Sequence, residues 1–127
     1  MSPIRVSICD DVRELRALIR FHLDGEADLE VVSESSDGAA VLRDVARAQP
    51  DILVLDLSMP QMDGLEVLVR LREVAPETRV VVLSGLTLDR VRAEASRLGA
   101  VRFVDKTLPM SALVDAVREV AASLPRA

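Results

Sequence analysis

Asp10, Asp11, Asp56, Ser84 and Lys106 are the residues of this chain whose types and placement could do chemistry together. Each stands where an apolar run stops: the acid pair after residues 4–9, Asp56 after 52–55, Ser84 after 80–83 and Lys106 after 102–105. Two carboxylates about 4 Å apart repel by roughly 4 kcal/mol at an effective dielectric near 20. Three in one crevice therefore need a cation or must take up a proton. Magnesium is the expected ion, being hard, octahedral and suited to carboxylates, waters and phosphate oxygens. Lys106 adds positive charge, and it is the one lysine among sixteen basic residues. An ammonium is a compact point charge, whereas guanidinium is a wide planar fork, so a narrow pocket between carboxylates favours the former. A carboxylate can itself attack phosphorus and form an aspartyl phosphate, a transfer that demands mainly positioning and charge neutralisation. Asp56 is the expected nucleophile, and Ser84, one strand over, is expected to donate its hydroxyl to a phosphoryl oxygen.

These residues meet only if the elements carrying them converge. Short apolar runs alternate five times with amphipathic stretches. The spacing predicts strands over 4–9, 29–33, 52–56, 80–84 and 102–105. The runs 52–55 and 80–83 are continuously apolar, as expected of parallel strands covered on both faces. Apolar residues spaced by three and four predict helices over 12–23, 39–48, 65–74, 88–98 and 110–122. Gly99 fits the end of the fourth helix, and Asp37-Gly38 a turn before the second. Right-handed crossovers make this an α/β protein, a (βα)5 sheet with helices on both sides. In such a sheet the strand ends share one edge, where ligands bind.

Composition narrows the function classes. At 127 residues, half of them apolar, the chain reads as one domain over 1–127 that builds a core without disulfides. The single cysteine, Cys9, cannot form an internal bridge. Neither a secretory signal nor a membrane-length apolar run is evident, so a cytoplasmic protein is expected. A net charge of −5 and only two aromatic residues, both Phe, argue against direct nucleic-acid binding.

Plainer readings exist for each residue alone. An Asp pair after a strand commonly caps the next helix, and Lys106 alone could be a solvated strand-end lysine. His22 reads as a partly buried structural histidine rather than a phosphorelay residue. Arg13, Arg16 and Arg20 read as a solvated face, Asp24-Gly25 as a turn, and Met59 and Met62 as packing residues. The recurrence of functional groups at successive strand ends is the more specific signal.

On these residues the chain resembles the receiver domains of bacterial response regulators in two-component systems. The segment Asp56-Leu57-Ser58-Met59-Pro60-Gln61-Met62-Asp63-Gly64 is similar to their phosphoacceptor loop, Asp10-Asp11 to their acidic pair, and Ser84-Gly85 to their switch hydroxyl with its small neighbour. Phe103 and Lys106 resemble their switch aromatic and lysine. Glu30-Val31-Val32 and the Asp105-Lys106 ending look most like receivers of the NarL/FixJ type. The resemblance implies a flavodoxin-like doubly wound three-layer sandwich with sheet order 2-1-3-4-5. It implies phosphotransfer to Asp56 from a sensor histidine kinase or histidine phosphotransfer protein, with homodimerisation as one consequence. It further implies Mg2+ (or Mn2+) held by Asp11, Asp56 and the Ser58 backbone carbonyl, with Asp10 helping through water. Ser58 and Leu86 fall where the family gates water and tunes phosphate lifetime; Ser58 is small and Leu86 cannot orient water by hydrogen bonding, so a moderately long-lived phosphate is expected. Where many receivers have Lys-Pro, this chain has Lys106-Thr107, for which a trans bond is expected.

A haloacid-dehalogenase-type phosphatase also forms an aspartyl phosphate, but it needs a second Asp two positions after the nucleophile, where this chain has Ser58. A flavodoxin-like cofactor carrier shares the fold, yet Asp10-Asp11 would repel a flavin phosphate. The expected role is thus a signalling phosphoacceptor, not an enzyme, that assists its own phosphorylation and dephosphorylation. No output domain is expected within the chain, which reads as a stand-alone receiver in slight preference to a piece of a longer regulator.

Overall fold

The computed structural model describes residues 2–57, 64–85 and 89–124. Elements alternate as β1 (Ile4–Cys9), α1 (Arg13–Asp24), β2 (Leu29–Ser35), α2 (Gly38–Ala48), β3 (Ile52–Leu55), α3 (Gly64–Val74), β4 (Arg79–Ser84), α4 (Asp89–Arg97), β5 (Ala100–Asp105) and α5 (Met110–Ala122). The strands form one sheet in the order β2-β1-β3-β4-β5, and every neighbouring pair is parallel. This is the flavodoxin-like doubly wound arrangement.

The unbroken apolar runs of the central strands explain the three layers. Successive strand side chains point to opposite faces, so a strand apolar at every position needs cover on both. In β3, Ile52 and Val54 join one core while Leu53 and Leu55 join the other; β4 divides Val81 and Leu83 from Val80 and Val82 in the same way. Ile19 and Leu23 of α1, with Leu113 and Val117 of α5, close the first face. Val41 and Val45 of α2, Val67, Leu68 and Leu71 of α3, and Ala95 of α4 close the second. Each Val, Leu or Ile side chain fully buried in these faces contributes roughly 1.5–3 kcal/mol.

Helix ends follow local chemistry. Asp37 caps α2, its side chain accepting from the Ala40 N–H at 2.8 Å. Gly99, at φ +115°, lies just past α4 in the left-handed region that glycine tolerates best. Gln49 takes the same region (φ 48°) after α2, and its side-chain amide donates to the carbonyls of Ala46 and Val74 at 2.9 and 2.8 Å.

Some boundaries differ from the sequence expectation. β2 extends two residues beyond Ser33, because Glu34 and Ser35 pair with Ile8 and Cys9 although their side chains are polar. β5 starts at Ala100 rather than at 102, with Val101 half exposed on an edge strand. Asp56 lies just past β3 rather than within it, Arg79 adds a residue to the start of β4, the starts of α1, α2 and α3 and the ends of α1 and α4 differ by one residue, and α5 and the ends of α2 and α3 fall where expected.

Candidate functional site

β1 and β3 are neighbours at the point where the sheet reverses its winding, and their carboxyl ends carry Asp10 and Asp56. This is the place in a doubly wound sheet where a crevice opens. Asp10 is buried, with its N–H donating to the Ser35 carbonyl at 3.1 Å. One carboxylate oxygen, Oδ1, accepts the Val12 N–H at 2.9 Å and so serves the uncapped start of α1. The capping role of an Asp after a strand is thus present, but it occupies one oxygen. The other, Oδ2, lies 3.1 Å from Lys106 Nζ and receives no well-directed hydrogen bond among the described residues.

Asp56 is equally buried, and its N–H donates to the Cys9 carbonyl at 3.0 Å. Its Oδ2 lies 3.3 Å from Lys106 Nζ, so one ammonium bridges two buried carboxylates across β1 and β3. Lys106 is anchored by its backbone as well, its N–H donating to the Ser84 carbonyl at 3.0 Å. Burial pulls the Lys106 pKa down, but the Asp56 charge and the Asp10 carboxylate outweigh it, so the ammonium titrates above its ordinary value. It stays charged. The turn after β5 is fixed by Asp105, whose Oδ1 accepts from both the N–H and the hydroxyl of Thr107 at 2.8 Å, and the Lys106–Thr107 bond is trans.

Asp11 is exposed and completes the acidic set. One carboxylate oxygen from each of Asp10, Asp11 and Asp56 falls within 4.8 Å of the others. An all-oxygen donor set of this size fits a hard divalent cation that keeps several waters, and the buried Oδ2 of Asp10 is poorly satisfied among the described residues. Ser58, Leu86, Met59 and Met62 lie outside the described residues.

Ser84 is buried at the end of β4, beside exposed Gly85. Phe103 is partly buried against the second core, with the Arg92 guanidinium 4.8 Å from its ring centroid. A groove runs between them, lined by Ser84, Gly85, Arg92, Phe103 and Leu108. Cys9 is no nucleophile: burial and the nearby Asp10 charge push its thiol up to about 12.

Two expectations for α1 are corrected. His22 is exposed, not partly buried, and its ring meets Phe21 edge-on at 5.5 Å; the helix turns it away from the stripe of Ile19 and Leu23. Arg16 is not part of a solvated face. Its side chain is only 17% exposed, donating to the Asp10 carbonyl at 2.9 Å and to Glu34 at 3.3 Å. Glu34 also pairs with Arg20. The sequence reading missed this because it ended β2 at Ser33, which left Glu34 off the strand beside Asp10. Gly64 closes the phosphoacceptor-like segment, but its packing role was not legible there: a Cβ would sit 2.6 Å from the Leu57 Cα, next to Asp56.

A family model described as the response regulator receiver domain matches residues 6–118. Among curated proteins, the chain is 39% identical over 137 aligned positions to protein-glutamate methylesterase/protein-glutamine glutaminase 5 of Myxococcus xanthus, covering all of this chain and 39% of that protein. It is 37% identical over 86 residues to the corresponding protein of Azospirillum brasilense, covering 68% of this chain and 22% of that one. The chain thus spans well under half the length of these relatives. Among solved structures it is similar to the signal receiver domain of the response regulator NarL from Mycobacterium tuberculosis, with a TM-score of 0.91 and 31% identity over 97% of this chain and 99% of that one. The response regulator domain of Thermotoga maritima CheB superposes with a TM-score of 0.87 at 28% identity, over 97% and 99% of the two chains.

Proposed function

Because the chain belongs to the response regulator receiver domain family, and so is a phosphoacceptor signalling domain, we propose that Asp56 is its phosphoacceptor. The donor is a sensor histidine kinase or a histidine phosphotransfer protein, and the reaction depends on Mg2+ or Mn2+. The observation that carries this reading is the single ammonium of Lys106 bridging the buried Asp10 and Asp56 carboxylates, with Asp11 close enough to share a cation. Of the three acids, Asp56 alone has functional groups on both sides: Asp10 on the β1 side and Ser84 on the β4 side. Asp10 already commits one oxygen to α1, and Asp11 is exposed.

In the proposed reaction an Asp56 oxygen attacks phosphorus, forming the O–P bond as the P–N bond of a phosphohistidine breaks. The imidazole leaves with the bonding pair. Asp10, Asp11 and Asp56, with the Ser58 carbonyl, would hold the metal, which when bound neutralises charge on the phosphoryl oxygens. Lys106 moves from the carboxylate pair to a phosphoryl oxygen, and the Ser84 hydroxyl donates to another. Phe103 then reorients beside Ser84 and alters the surface formed by α4, β5 and α5. Ser58 is small and Leu86 has no group to hydrogen-bond water, which favours a moderately long-lived phosphate.

Within the family we assign the chain to the NarL/FixJ type, on Glu30-Val31-Val32, the Asp105-Lys106 ending and the likeness to the NarL receiver. The curated relatives are instead protein-glutamate methylesterases, so in related proteins the controlled output includes an enzyme. The receiver itself is a signalling domain, and nothing favours the phosphatase alternative. Among the described residues no helix is long and apolar enough to cross a membrane; a cytoplasmic site of action is part of the same proposal. Phosphorylation-driven homodimerisation belongs to the same proposal.

The test is intact-mass measurement after incubation with acetyl phosphate and Mg2+. One phosphate is expected on the wild type and none on Asp56→Asn; chelator should prevent labelling. Equal labelling of Asp56→Asn would overturn the assignment.

A further inference from the structure

We propose that Arg16 is a positioning residue for the acidic pair, fixing the Asp10–Asp11 peptide so that both carboxylates face the cation. The inference rests on the metal site of the proposed function. Its basis is the way Asp10 is held. The Asp10 N–H is anchored to the Ser35 carbonyl, Oδ1 to the Val12 N–H, and the carbonyl oxygen to Arg16 Nη1 at 2.9 Å. The carbonyl of Asp10 and the N–H of Asp11 share one rigid plane. Fixing the former therefore sets where the Asp11 backbone, and with it an exposed carboxylate, begins. No other contact in the described residues ties that carbonyl to the protein.

Arg16 is itself held. Its Nε donates to Glu34 Oε1 at 3.3 Å, Glu34 pairs with Arg20, and Arg20 pairs with Asp24 at 3.2 Å. A guanidinium spans both acceptors at once because its donors form a rigid fork. Lysine at this position would reach one of them. The chain runs from the last turn of α1, through the end of β2, to the tip of β1, all on structured elements. Groups that orient metal ligands from behind cost about tenfold or more in metal affinity when removed.

The sign of the effect separates positioning from charge. A cation near the acidic pair repels Mg2+, so on charge alone, removing Arg16 would tighten metal binding. Positioning demands the reverse. Isothermal titration of Mg2+ into the metal-free protein should give about tenfold weaker binding for Arg16→Gln than for wild type. The amide resonances of Asp11 and Val12 should shift in the metal-free state. Arg16→Lys, which preserves the charge and intrudes least on folding, should still bind several-fold more weakly than wild type. Unchanged or tighter binding in either variant would overturn the inference, as would a lowered melting temperature with unaltered affinity. A wild type that binds no Mg2+ would overturn the metal-site reading beneath it, a distinguishable failure.

Discussion

Lys106 illustrates how one side chain sets the resting state of the site. Its ammonium sits 3.1 and 3.3 Å from two buried carboxylate oxygens that would otherwise repel each other. A phosphoryl group on Asp56 replaces one of those charges with a dianion, so the lysine gains a stronger partner, and Ser84 gains an acceptor. A ligand shifts a conformational equilibrium only through contacts that differ between the states, and in the proposed reaction these two residues would supply them. Lys106→Arg and Ser84→Ala are therefore expected to accept phosphate at Asp56 yet lose most of the response at the α4–β5–α5 face. Guanidinium is a wide planar fork where the ammonium is a compact point charge, so arginine is not expected to reproduce the bridge between Asp10 and Asp56. NMR with and without beryllofluoride measures this. Wild-type shift changes around Phe103 in either variant would show that its residue does not couple the site to that face.

At the scale of elements, the start of α3 is pressed against the segment that ends β3. The Gly64 N–H donates to the Leu57 carbonyl at 3.1 Å, and a Cβ on Gly64 would lie 2.6 Å from both the Leu57 Cα and its Cδ2. Backbone cannot yield as a flexible side chain would, so the helix must move or Leu57 must, with Asp56 beside it. Gly64→Ala is expected to destabilise the protein by about 2–3 kcal/mol and to slow phosphate labelling of Asp56. Gly85 gives the contrast. Among the described residues a Cβ there meets only the Lys106 Cδ at 4.0 Å, an ordinary contact, and its φ lies outside the left-handed region. Gly85→Ala should change stability by less than about 0.5 kcal/mol. Urea unfolding of the two variants checks both expectations, and equal effects would refute the packing argument.

Across the whole molecule, ion pairs stitch the α1–β2 side together and give it a pH dependence. Arg118 of α5 reaches Glu26 and Asp28 in the turn after α1, at 2.7 and 2.8 Å. Hydrogen bonding from Arg20 holds the Glu34 carboxyl below its ordinary value of 4.5, more than offsetting partial burial, and Arg16 adds to it. Arg118 similarly lowers Asp28. A lowered folded-state pKa means the unfolded chain binds protons more readily. The stabilisation is then full above the unfolded value and is lost as pH falls through the folded one. Glu34 is partly solvated, so screening limits its share to about 1 kcal/mol or less. Glu34→Gln should cost up to that amount at about pH 7, and the gap from wild type should close as the pH falls below the folded-state pKa of Glu34. Urea titrations across this range measure it; a gap that widens in acid would show the sign to be wrong.

By itself the sequence determined the order of elements, the two-sided cover of the central strands and the identity of the strand-end residues. These are legible because hydrophobic period and strand-end position are local: Ile52–Leu55 is apolar at every residue wherever it is placed, and Gly99 marks its helix end by its own backbone freedom. Tertiary structure decided who touches whom. The bridge from Lys106 to Asp10 and Asp56 exists because the order β2-β1-β3-β4-β5 brings the strand ends to one edge. Arg16 looked like a solvated residue while Glu34 lay outside the expected strand, and only the pairing of Glu34 with Ile8 placed the two together. Gly64 kept its meaning hidden for the same reason, since the Cβ it lacks would meet a backbone atom seven positions away in sequence. Contacts between polar groups leave no periodic trace along a chain, because their partners are chosen by strand order and not by spacing.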